Sequence, residues 1–306
     1  MMKQNKNGWI LISIAAFIWG LDGVLLTPQY FSNGFYDVKF IVFISHLLPL
    51  IILSILFFGQ YKIIKTFKKE DYIYYFLISL FGGTIGTLAI VKALMLSKFS
   101  LSLITVIQKM QPIFAVILAY IILHEKPKKK FYAVLIISLV SLYFIIFGLN
   151  SPKLLEENNL RAAMYSLIAA FSFGSSTVFG KKIVSNHSFL TTIFYRYFFT
   201  SIITLVILIF TKDSIKSLNL YISNSNLYKL TIIIALFSLT SLSLYYIGMK
   251  TTTATRATIS ELMYPLGSVV IEAIVYKRLL LPIQIFFSIV LVISIIYLNI
   301  DTSKES

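Results

Sequence analysis

Ten long apolar runs constrain this chain more than any other feature. They lie at about 8–26, 38–59, 72–95, 100–123, 131–149, 161–180, 188–210, 228–248, 254–276 and 282–299, with short polar gaps between them. A helix rises about 1.5 Å per residue, so roughly 20 apolar residues cross a hydrocarbon layer about 30 Å thick. The runs are continuously apolar where barrel strands would alternate, so they read as helices. Hydrophobic residues make up 58% of the 306 and charged residues 13%, against about 25% charged in a soluble domain. The chain is therefore an all-α integral membrane protein with ten transmembrane helices. That excludes an ordinary soluble enzyme, a disordered chain and a small disulfide scaffold. The first run carries Trp19, Gly20 and Asp22 and no small-residue cleavage site, so it is expected to stay as a working helix.

Charge gives the orientation. Lys and Arg number 27 against 12 Asp and Glu, a net +15, and the excess sits in short loops. Lys3 and Lys6, then Lys62, Lys65, Lys68 and Lys69, then Lys126, Lys128, Lys129 and Lys130 fall on one side of the first half; Lys39 and Lys98 fall on the other. The positive-inside bias puts the N-terminus in the cytoplasm, and an even number of spans returns the C-terminus there. The expected location is the cytoplasmic (inner) membrane, with the bilayer as partner and no nucleic acid. There is no Cys, and His46, His124 and His187 are scattered, so neither a metal site nor a cofactor is expected.

The halves repeat one another. Ala15-Ala16-Phe17-Ile18-Trp19-Gly20 aligns with Ala169-Ala170-Phe171-Ser172-Phe173-Gly174; Thr105, Gln108 and Pro112 align with Thr258, Glu261 and Pro265; His46 falls opposite Arg196. This gives a first five-helix repeat at 8–149, a connector at 150–160 containing Ser151-Pro152, and a second repeat at 161–299. Five spans per half place the halves in opposite orientation, so the fold class is two inverted five-helix repeats, which build solute sites near mid-membrane.

Charges inside spans are costly and mark cavities or partners. Asp22 suits a proton or cation site, a partner for a substrate amine, or a structural partner for Lys92 or Lys109. Thr258, Glu261, Pro265, Ser268 and Glu272 step by three and four residues, one helical stripe, echoed by Thr105, Gln108 and Pro112. Pro112 and Pro265 should kink their helices by removing a backbone donor. Lys109 is placed to meet Glu261 or Asp22, and Lys92 either joins them or snorkels to the interface. Arg196 fits an anion clamp or a fixed salt bridge, and His46 a hydrogen-bonding spacer. Trp19, Phe173, Tyr245, Tyr246 and Tyr264 can form an aromatic wall around an apolar or cationic solute. Gly82-Gly83-Thr84 marks close helix packing. Glu125 beside its lysines reads as a structural or gating ion pair.

The layout, Trp19-Gly20 with its echo Phe173-Gly174, the run from Gln111-Pro112 to His124-Glu125, and Arg196 in the seventh helix together resemble the drug/metabolite transporter superfamily, in particular its EamA-type members. The second half departs from the pattern, with Arg278 where Glu125 has its equivalent and with Glu261 and Glu272 as added acids. The resemblance implies a secondary transporter of small organic solutes. The expected function is alternating access for a small metabolite bound near Trp19, Asp22, Gln108, Lys109, Arg196, Glu261 and Tyr264. A proton or another ion, exchange or the solute's own gradient would drive it. The alternatives are an integral-membrane enzyme on a lipid-linked substrate, a lipid flippase and a passive channel. Such an enzyme usually needs a clustered acid, His or dyad site, and these acids sit singly on different helices.

Overall fold

The spans close into a bundle whose halves interlock. The structure is a computed structural model that describes residues 7–96, 101–150, 157–210, 214–275, 277 and 279–300. Ten helices are long and apolar enough to cross a membrane: α1 (Gly8–Ser32), α2 (Val38–Leu56), α3 (Lys69–Leu96), α4 (Ile104–Ile122), α5 (Lys129–Phe147), α6 (Leu160–Asn186), α7 (Phe189–Ile209), α8 (Ser225–Thr251), α9 (Ala254–Val275) and α10 (Pro282–Ile300). Lys3, Lys6, Lys98, Ser151, Pro152 and Arg278 lie outside the described residues.

One helix runs past its apolar stretch. The hydropathy of α6 fades near residue 180, yet the helix continues to Asn186. There Lys181 turns its ammonium onto the backbone carbonyls of Met249 (2.9 Å) and Lys250 (3.3 Å) at the end of α8. A cation on the last carbonyls of a helix satisfies orphan acceptors and opposes its dipole.

The main inter-helix packing joins the two repeats. α1 packs on α8 and α9, while α6 packs on α3 and α4; α2 pairs with α7, and α5 with α10. Exchanging the halves converts each of these pairs into another pair of the set, the signature of a pseudo-two-fold arrangement. The glycines make the same point at atomic scale. A Cβ on Gly20 would stand 2.6 Å from the Tyr264 carbonyl oxygen and 2.9 Å from the Ser268 nitrogen. On Gly174 it would stand 2.8 Å from the Gln111 oxygen and 3.1 Å from the Ala115 nitrogen. Gly20 and Gly174 are repeat partners, and so are Tyr264 and Gln111. Between lipid-embedded helices there is little hydrophobic drive to associate, so close backbone approach supplies the attraction. Large apolar side chains such as Ile55, Ile136 and Phe286 cover the outside.

Both proline helices break as their sequence requires. α4 is interrupted at Lys109–Met110 and α9 at Glu261–Leu262. The Met110 and Leu262 amides turn to the carbonyls three residues back, on Ile107 and Ile259, each at 3.1 Å. Pro112 and Pro265 cannot donate to the carbonyls of Gln108 and Glu261, four residues earlier, and those two residues are repeat equivalents. A second irregularity was not expected. α1 contains a π-helical turn at Asp22–Leu26 and α3 another at Ser79–Ile85, whereas α6 and α8 run without one.

Candidate functional site

A cavity of about 230 Å³ lies where the broken helices meet α1, α2, α3, α6, α7 and α8. All seven residues singled out from the sequence line it: Trp19, Asp22, Gln108, Lys109, Arg196, Glu261 and Tyr264. The helix breaks explain why. Interrupting α4 and α9 at mid-span turns Lys109 and Glu261 inward, where Lys109 is 4% and Glu261 5% exposed.

The Glu261 carboxylate accepts from three side chains. One carboxylate oxygen, Oε2, accepts from Gln111 Nε2 (2.5 Å). The other, Oε1, accepts from Tyr245 Oη (2.9 Å) and Thr177 Oγ1 (3.2 Å). These donors come from α4, α8 and α6, so one carboxylate ties three neighbours together. Lys109 places its ammonium over the Tyr264 ring, 4.3 Å from the centroid, a cation–π contact strengthened where water is scarce. Lys109 and Glu261 share the cavity and attract one another through their charges, but the ammonium rests on an aromatic face and not in a direct ion pair.

The remaining polar groups are held more loosely. Asp22 accepts one hydrogen bond from Thr27 Oγ1 at 3.1 Å. Neither of the structural partners considered for it, Lys92 and Lys109, forms an ion pair with it among the described residues; the π-helical turn that begins at Asp22 ends beside Thr27, its partner instead. Arg196 donates from Nη1 to Tyr246 Oη at 3.0 Å, so its partner is a phenol and not the salt bridge considered from the sequence. His46 Nδ1 donates to the Val42 carbonyl at 2.8 Å and its ring leans on Tyr197, the spacer role expected. Trp19 packs against Tyr245 with ring centroids 5.3 Å apart. Phe173, Tyr245 and Tyr264 complete the aromatic wall, while Tyr246 stands behind it and anchors Arg196.

Two further readings change. The polar stripe of α9 does not face one cavity: Glu261 joins the central one, but Pro265, Ser268 and Glu272 line a smaller cavity with Thr105. The break at Glu261–Leu262 shifts the helical phase, so a stripe drawn on an unbroken helix splits. Glu125 caps α9: Oε1 accepts from the Ala254 amide (2.8 Å), and Oε2 from the Thr255 amide (3.0 Å) and hydroxyl (2.8 Å). A carboxylate on the first amides of a helix is favoured by its dipole. Gln111 and Thr177 were missed, although Gln111 is the repeat partner of Tyr264 and comparison of the halves could have flagged it. Gly82 and Gly83 do pack closely, against Ser176 of α6 and Thr200 of α7.

The cavity runs from mid-span toward the end where α1 finishes and α2 begins. The other end is tied shut between the halves. Besides the Glu125 cap, His187 Nε2 lies 3.0 Å from Asp71 Oδ1. Gln60 accepts from the Thr191 hydroxyl (2.9 Å) and the Tyr195 hydroxyl (2.6 Å).

The chain matches the EamA-like transporter family over residues 6–147 and again over 160–300. It belongs to the EamA-like transporter family. Membership makes it a multi-pass membrane transporter of a small solute, and not an enzyme. Among its relatives is a protein named riboflavin transporter ImpX, from Fusobacterium nucleatum subsp. nucleatum. The two are 42% identical over 301 residues, covering 97% of this chain and 99% of the relative. A solved crystal structure at 10% identity superimposes with a TM-score of 0.68 over 94% of both chains, which shows that the two share a fold.

Proposed function

We propose that this EamA-like chain carries riboflavin, or a flavin very close to it, across the cytoplasmic membrane by alternating access, with both termini in the cytoplasm. The observation that carries the reading is the charge balance of an aromatic cavity. Asp22 and Glu261 offset Lys109 and Arg196 among the described lining residues. A cavity with cancelled charge suits a neutral solute rich in polar atoms, and Trp19 with Tyr245 offers a flat tricyclic ring a stacking surface. Lys109, Arg196 and Gln108 supply donors for the carbonyl edge of such a ring. Asp22, bonded by a single hydroxyl, accepts from an imide N–H or a sugar-alcohol hydroxyl, or takes up a coupling proton. The ImpX relative, of nearly equal length, supports the same cargo.

Transport then alternates between a state tied at Glu125, Asp71 and Gln60 and one in which those ties open. The repeats 8–149 and 161–299 rock against one another about the connector 150–160. The test is saturable uptake of labelled riboflavin into proteoliposomes, with competition by unlabelled amino acids, nucleosides and polyamines. Uptake blocked only by flavins supports the proposal; absence of flavin binding to purified, folded protein sinks it.

A further inference from the structure

A third concavity, about 870 Å³, opens on the end of the bundle opposite the tied end. Its rim carries Lys39 from the first turn of α2, Lys92 from the last turns of α3 and Lys216 from the short helix Ser214–Ser223. Its floor is apolar, formed by Leu88 of α3, Ile168 of α6 and Ile207 of α7. Lys39 and Lys216 are exposed and Lys92 half-buried. Among the described residues none of the three ammonium groups forms an ion pair.

Among the described residues Asp37 is the one acid on the rim, and it is already committed. Asp37 Oδ1 accepts from the amides of Lys39 (3.1 Å) and Phe40 (3.0 Å), capping α2. Its Oδ2 accepts from the Ser217 hydroxyl at 2.5 Å, which fastens the short helix to α2. One carboxylate against three ammonium groups leaves the rim with two positive charges. Lys229 and Lys277 also stand at this end, but Lys39, Lys92 and Lys216 share one groove over one apolar floor and ask for a common partner.

We infer that this groove binds an anionic phospholipid, its phosphate among Lys39, Lys92 and Lys216 and its acyl chains along the floor between α3, α6 and α7. A free phosphate would use the rim and leave the apolar floor open to water. A zwitterionic lipid would fill the floor and leave the charge uncompensated. Only a lipid with a net negative headgroup matches both surfaces. The site is separate from the central cavity and shares no lining residue with it.

The test is native mass spectrometry of the full-length protein released from nanodiscs of equal phosphatidylglycerol and phosphatidylcholine. The wild type should retain phosphatidylglycerol in clear preference. Each lysine neutralised should lower retention about fivefold, so K39Q/K92Q/K216Q should lose the preference while K39R/K92R/K216R keeps it. Equal retention of both lipids by the wild type overturns the assignment and needs no variant to fold. So does a glutamine variant that still prefers phosphatidylglycerol. Thermal stabilisation by inorganic phosphate equal to that by short-chain phosphatidylglycerol would make this an anion site and also overturn it.

Discussion

The Gln111 side-chain amide donates to the Glu261 carboxylate at 2.5 Å, linking the two proline helices beside their breaks. The residues are 150 positions apart, one in each repeat. With Tyr245 and Thr177 completing the set, this link sets both the charge and the shape of the central cavity.

Glu261→Gln should abolish transport with the protein still folded. Glutamine presents one acceptor oxygen and an amide donor where three donors converge, so at least one bond worth about 1.5–3 kcal/mol to a charged acceptor is lost. It also leaves Lys109 and Arg196 with Asp22 as the one acid lining the cavity. Proteoliposome uptake should fall at least about tenfold; undiminished flux would remove Glu261 from the mechanism.

Riboflavin binding should quench tryptophan fluorescence through one residue. The chain holds two tryptophans. Trp19 lines the cavity, while Trp9 packs with a cluster formed largely by α5 and α10. Trp19→Phe should therefore abolish most of the ligand-induced quench, with Trp9→Phe nearly silent. Equal losses in the two variants would place the solute elsewhere.

Gly20→Ala and Gly174→Ala should destabilise to a similar degree, because each new methyl meets the backbone of the other repeat's broken helix. Overpacking of this kind costs about 1–3 kcal/mol. Gly59→Ala, with no neighbour within 4 Å of its Cβ, serves as the control. Thermal midpoints of the purified protein read the difference, and a stable Gly174→Ala beside a damaged Gly20→Ala would break the symmetry.

Loosening the tied end should expose what lies under it. The chain has no cysteine, so Ala254→Cys, at a fully buried position, reports without background. Adding Glu125→Ala removes the cap of α9, a loss of about 0.5–2 kcal/mol. Maleimide labelling at position 254 should then accelerate roughly 2–30-fold. An unchanged rate would mean that Glu125 does not hold this end closed.

Much of this architecture was legible before any coordinates. Hydropathy located the ten spans because lipid allows few alternatives to a continuous helix. The internal repeat pointed to Gln108 and Glu261 as equivalents, and both face the cavity. Gln111 was hidden for a physical reason: periodicity assumes an unbroken helix, and the interruption at Lys109–Met110 re-aims the residue that follows. The π-helical turns at Asp22 and Ser79 left no trace in apolar pattern either, since one extra residue in a turn changes phase without changing composition. Glu125 looked like a partner for the lysines beside it in sequence. Its true partners are amides that only the folded chain brings near.

The exchanged packing has one more consequence. Since α1 leans on α8 and α9 while α6 leans on α3 and α4, neither group of five helices owns a finished interior. Made as two separate polypeptides in the same membrane, they should find each other and rebuild a working carrier. Made alone, either would offer its glycine seams to lipid and be cleared by proteases.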